Sequence, residues 1–422
     1  MEKKYLKKVP VKKQNRLPEI LDFMTENQKQ ELLKTAEFLK GEKILHINAT
    51  EKGGGVAELL KSIVSCLNAL DIKTEWNCIS PLVGKNFFEI TNKIHNSLQG
   101  ANVKITKQEW LEYEKINKAI AVELDKKNYD ILAINDPQPL FAGQYLQNQK
   151  QKIFFCHIDT SSASKPVFEK LLPIIKSYQK IIFSNSNFVA KNLPSKKIRI
   201  FTPAIDPLSP KQKIVPKKQA RVYLQKHGGI PVAGPLIVQV SRFDVWKNPI
   251  GVIQAFRIVK LSYPQAKLAL VGFNEAADNP KAAGVFKDIK NMAKKSNDIF
   301  VFFDPKNKDA LKFTIMAQNS ADVVVQNSIK EGFGLTATEA MWKGHAVIAG
   351  PASGLKRQIT NSKNGFIVKN SSELAKKIIL LLQNPQKKEK MGQKAKKTVI
   401  KNFLLGRLLL DHLKIYKSCL KK

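Results

Sequence analysis

Arginine is scarce in this chain: of 71 basic residues only Arg16, Arg199, Arg221, Arg242, Arg257, Arg357 and Arg407 carry a guanidinium. Acidic residues are also few, 35 in all, which leaves a formal charge of +36. A charge of that size points first to nucleic acid. Bidentate contacts to phosphate and base edges use arginine, however, and the excess here is lysine spread over every helical stretch. It reads as solvated surface that holds polyanions nonspecifically at low salt, and no specific nucleic-acid partner is expected.

Cysteine is rarer still. Cys66, Cys78, Cys156 and Cys419 are widely scattered, with no C-x-x-C and no histidine at metal-ligand spacing, so neither a disulfide framework nor a zinc site is indicated. Asp-x-Asp is absent, and the sequence therefore requires no divalent metal. No apolar run approaches the ~18 residues of a membrane span, so no membrane insertion is expected. The basic segment Met1 to Arg16 is not followed by an apolar stretch with a cleavage site; no secretory signal is read, and a cytoplasmic location is expected.

What is present is a repeated strand and helix pattern in 422 residues, 43% of them hydrophobic, enough for two or three domains. The stretch Glu331-Gly332-Phe333-Gly334-Leu335-Thr336-Ala337-Thr338-Glu339-Ala340-Met341 organises the reading. Before it, Ala321 to Gln326 is a β-branched run typical of a buried parallel strand; after it, Ala337 to Lys343 favours helix, and Gly344 supplies a stop. Two glycines let the backbone approach a ligand, and amides at a helix start favour an anion or a polar sugar. Glu331 on the loop and Glu339 on the helix are then placed to face the carboxyl end of a sheet, where open α/β folds bind ligands. Thr336 and Glu339 also fit a capping box, which would need no function at all.

The first strand, Lys43 to Asn48, runs into Gly53-Gly54-Gly55 and a helix with apolar residues at Val56, Leu59, Leu60, Ile63, Val64 and Leu67. This is a second anion-facing turn or simply a tight one; the spacings of a P-loop and of a dinucleotide site are both missing. Strands at Ile131 to Ile134, Ile153 to Asp159 and Ile181 to Phe183 bring Asp136, His157 and Asp159 to strand ends, as caps or as parts of one pocket. Prolines 203, 207, 210 and 216 mark the linker. The pattern then repeats: the strand Leu236 to Val240 leads to Arg242 and Lys247 on a loop, with Asn248 as N-cap and Pro249 in the first helical position. Two cations there suit a diphosphate, or are surface lysine and arginine in a cationic protein. Strands at Leu268 to Gly272, Ile299 to Phe303 and Ala346 to Ile348 continue the alternation, and Lys401 to Tyr416 closes it as an amphipathic helix.

A Gly-rich first loop, an Arg-x4-Lys loop and a Glu-x7-Glu turn on a two-lobed α/β chain resemble a family-4 retaining glycosyltransferase of GT-B architecture. Further motifs narrow this to the glycosyltransferring trehalose synthases and their trehalose phosphorylase relatives. They are Val56-Ala57-Glu58, Ile94 to Gly100, Asp136-Pro137-Gln138-Pro139, Cys156-His157-Ile158-Asp159, Ala204 to Leu208, Val240 to Asp244, and Glu339 to Gly344. The resemblance runs roughly from residue 40 to 405. It implies two Rossmann-like parallel-sheet domains facing across a cleft. Residues 1–207 would form the acceptor domain, with about 403–422 packing back on it, and 208–402 the nucleotide-sugar domain.

The activity so implied is reversible transfer of glucose from UDP- or ADP-glucose to free glucose, giving α,α-trehalose with retained configuration and no cofactor. Arg242 and Lys247 would hold the diphosphate, Glu339 the ribose, and Glu331 the ring hydroxyls of the transferred glucose, which His157 also reaches. Amides of Gly53, Gly54 and Gly55, and the turn Gly332, Phe333, Gly334, Leu335 and Thr336, would approach phosphates and sugar. Asp136, Gln138 and Asp159 are the candidates for the acceptor. Cations and amides preorganised around a departing phosphate stabilise charge where it develops, which fits those roles. Two departures from the pattern stand out: Asn248 where glycine usually follows the phosphate lysine, and Ser353 where relatives have glycine. Alternatives are a phosphorylase using glucose 1-phosphate, a transferase with another acceptor, and a non-catalytic polyanion binder. Sugar and nucleotide sugar are the expected partners; a homodimer is the assembly considered, although the sequence itself fixes no oligomeric state.

Overall fold

A computed structural model describes residues 4–12, 16–52, 55–148, 151–272, 282–303 and 309–420. They form two units, one from the chain up to Asp206 together with the segment from Leu404 onward, the other from the described residues between Pro207 and Phe403.

The first unit holds a seven-stranded sheet of β1 (Leu6–Lys8), β2 (Lys43–Asn48), β3 (Lys73–Ile79), β4 (Ile131–Asn135), β5 (Gln151–Cys156), β6 (Lys180–Phe183) and β7 (Ile198–Ile200). Their spatial order is β1-β3-β2-β4-β5-β6-β7, with only β1 antiparallel to its neighbour. The central strands are buried along their length because helices cover both faces, which explains why they read as apolar runs. β5 ends at Cys156, so His157 and Asp159, expected at the carboxyl end of this strand, lie on the loop just beyond it. Gly55 opens the helix Gly55–Ala69, which buries Leu60, Ile63, Val64 and Leu67; Gly53 and Gly54 lie outside the described residues.

The expected final helix is two helices, Pro385–Asn402 and Leu405–Leu420. The break is tertiary in origin. Phe403 leaves helical geometry at φ −129°, Leu404 bridges Ile205, and Leu405 N donates to Ile205 O at 3.0 Å. The last helix then buries Leu408, Leu409, Leu413 and Tyr416 in the first unit. Tyr416 Oη lies 2.9 Å from His46 Nε2 and 2.8 Å from His412 Nδ1. His46 Nδ1 is buried and has no partner, which fits a bare lone pair better than an orphaned N–H. His46 then donates through Nε2 to the tyrosine oxygen, and the hydroxyl donates to His412.

The second unit holds six parallel strands: β8 (Leu236–Val240), β9 (Lys267–Val271), β10 (Ile299–Phe302), β11 (Val323–Gln326), β12 (Val347–Ala349) and β13 (Gly365–Ile367). Their order is β10-β9-β8-β11-β12-β13. In each sheet the winding reverses once, between β2 and β4 in the first and between β8 and β11 in the second. Loops leaving the carboxyl ends of those strand pairs diverge and leave a crevice for a ligand. Among the described residues no helix is long and apolar enough to cross a membrane.

The buried histidines make stability depend on pH. Burial lowers the pKa of His46 to about 3 and that of His412 well below its ordinary value; His345 in the second unit falls to about 4. All are neutral when folded and titrate near ~6.5 when unfolded. Their contribution is therefore complete above pH ~6.5 and lost as pH falls toward the folded values, at up to about 1.4 kcal/mol per pH unit per histidine. Urea midpoints measured between pH 7.5 and 4.5 should fall steeply, and less steeply in His46→Gln.

Candidate functional site

In the second unit the site grows from the loops after β8 and β11. Asp244 Oδ1 accepts from the amides of Trp246 at 3.0 Å and Lys247 at 3.2 Å, which shapes the short turn Val245–Lys247. Asn248 follows in the left-handed region, φ +48° and ψ +50°, and its Oδ1 caps the helix Pro249–Ser262 by accepting from Gly251 N at 3.1 Å. A left-handed position is one glycine fills without strain and asparagine tolerates, so the departure at Asn248 keeps the backbone and adds a cap.

The second loop is tied to the first. Ile329 N donates to Trp246 O at 2.8 Å, Asn327 N to Gln239 Oε1 at 3.0 Å, and Gln239 Nε2 to Lys247 O at 3.2 Å. This brings Lys247 and Glu331 into a direct ion pair, with side chains 13% and 15% exposed. Ser328 Oγ adds a contact to the same carboxylate oxygen at 3.3 Å. Arg242 is more open and lies 3.7 Å from Asp244 Oδ2.

The Glu331 turn differs from a capping box. The helix runs Leu335–Trp342, its N-cap is Gly334 at φ +92°, and no side chain caps it. Thr336 Oγ1 instead bonds Gln326 Oε1 at 3.0 Å. Glu339 is 1% exposed, with Lys211 Nζ at 3.0 Å and Gln318 Nε2 at 3.5 Å. A carboxylate that buried and so partnered is not serving a helix end. Gly354 packs so tightly that an added Cβ would sit 2.6 Å from Phe333 N, and Gln358 Nε2 donates to the carbonyls of Phe333 and Gly334. The amides of Leu335 and Thr336 open the helix and have no intrahelical acceptor. Lys343 is pulled down to about 8 by burial, against the raising effect of Glu339 and with Lys211 adding to the fall.

The first unit brings together another group. Asp136 sits at φ +64° directly after β4, and its Oδ1 accepts from His157 N at 2.8 Å. Burial lowers the His157 pKa and Asp136 opposes it. The Asp159 carboxylate is turned to Ser161, accepting from its amide at 3.1 Å and its hydroxyl at 2.5 Å. Gln138 is 5% exposed and its buried Oε1 has no partner. Among the described residues no group of three or more His, Cys, Asp or Glu is placed to hold a metal ion. Sequence reasoning passed over Lys211, Ser328 and Asn135. Only Asn135 left a signal, as a polar residue closing a wholly apolar strand.

Comparison with known proteins converges on one family. Residues 46–190 match the family described as trehalose synthase, N-terminal domain, and residues 224–398 match glycosyl transferases group 1. The chain is 36% identical over 395 residues to a trehalose synthase of Rubrobacter xylanophilus, covering 92% of this chain and 94% of that one. Against a trehalose synthase of Pyrococcus horikoshii it is 34% identical over 405 residues, 96% of each chain. A trehalose phosphorylase of Grifola frondosa is more distant, at 26% over 80% of this chain and 51% of that one. The solved structure of trehalose-6-phosphate synthase OtsA matches with a TM-score of 0.72 at 14% identity, over 89% of this chain and 99% of that one. Anabaena HepE in complex with UDP and glucose matches at 0.66 and 17%, over 89% and 100%.

The fold is therefore α/β of the GT-B class and the protein is a glycosyltransferase, as the motifs led us to expect. It belongs to the trehalose synthase family, and the transfer it performs is trehalose-related.

The Asn248 geometry gives a stability test. Asn248→Gly keeps the left-handed backbone and should cost no more than about 0.5 kcal/mol, whereas Asn248→Ala loses both cap and conformation and should cost about 2 kcal/mol. Denaturant midpoints of the two variants distinguish these values.

Proposed function

We propose that the protein transfers glucose from a nucleoside diphosphate glucose, UDP or ADP, to the anomeric hydroxyl of free glucose, forming α,α-trehalose reversibly and with retention. The observation that carries this reading is the Lys247–Glu331 ion pair, with Arg242 on the same loop as Lys247, at the point where the second sheet reverses its winding. It sets two cations and a carboxylate where a diphosphate and its sugar would both need partners.

On this reading the second unit takes the donor. The entering diphosphate competes for Lys247, draws the ammonium from Glu331, and frees that carboxylate to accept hydrogen bonds from ring hydroxyls of the glucose. Arg242 and the amides of Phe333, Gly334 and Leu335 complete the anion's surroundings, and Glu339 holds the ribose. The bond from the anomeric carbon to the phosphate oxygen breaks as a bond to the acceptor oxygen forms on the same face. The acceptor's proton passes to the departing phosphate. Negative charge grows on that phosphate in the transition state, which is where fixed cations lower the barrier most. Asp136, Gln138 and Asp159 of the first unit hold the acceptor, and His157 reaches the transferred glucose. No metal or cofactor is assigned.

Purified protein incubated with UDP-glucose or ADP-glucose and carbon-13 glucose tests this directly. Nucleoside diphosphate release with α,α-trehalose in the carbon NMR spectrum is the expected result. Turnover only with glucose 1-phosphate or phosphate would identify a phosphorylase instead, and no turnover with any donor would sink the reading. Glu331→Ala should lower turnover by about a hundredfold or more while shifting stability by no more than about 1 kcal/mol, since the residue sits on a loop. A melting point lowered as far as that of a core variant would count against its placement at the sugar.

A further inference from the structure

The protonation pattern of His157 is set by a neighbour. Asn135 closes β4 and is 2% exposed. Its Nδ2 donates to Ile47 O at 3.1 Å and to Ala133 O at 3.3 Å. Carbonyl oxygens only accept, so turning the amide over would break both bonds and set Oδ1 against two oxygens. Oδ1 therefore faces His157 Nε2, 3.1 Å away. An amide oxygen also only accepts, and the proton must lie on Nε2.

The rest of the ring is held as firmly. It stacks on Phe155 with centroids 6.2 Å apart and planes at 8°, and its backbone N–H is taken by Asp136 Oδ1. Burial keeps the imidazole neutral near pH 7. One proton is then present, on Nε2, and Nδ1 is a bare lone pair.

We propose that Asn135 is a positioning residue for glucose transfer: it locks His157 as the Nε2–H tautomer, so that the ring accepts at Nδ1 a hydrogen bond donated by a hydroxyl of the bound glucose. A hydroxyl so held has its rotation fixed, and a ring of the opposite tautomer would present an N–H and demand an acceptor instead. The proposal rests on the placement of His157 at the sugar given above. The assignment of the proton does not.

Nitrogen-15 NMR of protein labelled at its six histidines reads the tautomer without turnover. The His157 signals are those missing from His157→Gln. In the unaltered protein we expect a protonated Nε2 and an unprotonated Nδ1. In Asn135→Ala we expect a mixture of tautomers and glucose transfer lower by about tenfold or more, the loss falling on kcat rather than on KM for the nucleotide sugar. Asn135→Asp must carry its proton on the oxygen that faces Ile47 O and Ala133 O, where it donates in place of the amide; the other oxygen still accepts from Nε2, so this variant should keep the tautomer and recover most of the activity. Ionising that carboxyl would set it against two carbonyl oxygens and favour the imidazolium, so its activity should fall as pH rises. Asp136, Asp159, Cys156, His46, and Arg407, Asp411, His412 and Tyr416 of the last helix, titratable or charged groups on the surrounding elements, are the same in every variant.

A purely structural role for Asn135 would impair the alanine and aspartate variants alike. That result, an Nδ1–H tautomer in the unaltered protein, or normal transfer by Asn135→Ala would overturn the proposal. If the unaltered protein shows the Nε2–H tautomer but transfers glucose from no donor, the assigned function fails and the proton assignment stands.

Discussion

The second sheet reverses its winding between β8 and β11, and the loops leaving those two strands must be held together without a shared helix. Hydrogen bonds do this. Gln239, at the end of β8, donates to Lys247 O and accepts from Asn327 N, while Trp246 O takes the amide of Ile329. Once those backbones are fixed, Lys247 and Glu331 have little choice but to meet. The polar groups that bind the loops to each other are satisfied by one another, which leaves the charged tips as the adaptable part. A half-buried ion pair adds little stability over its solvated components, and its use lies in what displaces it.

The opposite ends of the same strands show a contrast. Arg221 is 5% exposed and spends its donors on Ser320 O, Val232 O, Gly234 O and Asp322, which also accepts from Leu236 N at 2.8 Å and pairs with Lys217. Two lysine and arginine partners and that amide hold the Asp322 carboxyl below its usual range even though burial pushes the other way. Each of the three Arg221 nitrogens has a protein acceptor, so the arrangement closes on itself and joins β8 to β11. At the carboxyl ends the arrangement stays open: Arg242 is 36% exposed. The first set of charges secures the sheet, and the second is the one that the proposed donor would engage.

Much of this was legible in the residues. Apolar β-branched runs located the central strands to within two residues, save that β5 stops three residues short of Asp159, because strands buried on both faces allow little else. Four strands were not legible. β1, β7 and β13 have three residues each, and β3, inside the sheet, carries Lys73, Thr74, Glu75 and Asn77; the pairing of β3 is decided by the neighbouring strands and by contacts such as Trp76 Nε1 to Asn48 Oδ1 at 2.8 Å. Of the proposed site residues, Arg242 and Lys247 were legible as cations on a strand-end loop, and Glu331 as a carboxylate on a glycine-containing turn. Asn135 and Lys211 were missed because their significance is in whom they touch, across 22 and 128 residues of chain. Thr336 was read as a possible cap since spacing cannot tell a helix-capping hydroxyl from one aimed at Gln326.

Backbone strain falls where these contacts are made. Of the described non-glycine residues at positive φ, Asp136 and Asn248 stand directly on the two site loops, and Gly334 takes the same region at the third. Each such residue costs about 1 kcal/mol or more relative to an ordinary backbone. The cost is offset locally: Asp136 N still bonds Phe155 O at 2.8 Å, and its carboxylate receives the amide of His157. Asn248 recovers a helix cap. At Asp136 the unusual backbone bends the chain at the strand end so that its carboxylate serves the loop after β5, and at Asn248 it sets the side chain over the start of its own helix. Strain that neighbouring hydrogen bonds compensate so fully is the signature of a position chosen for geometry, and it falls on the same loops as the charges.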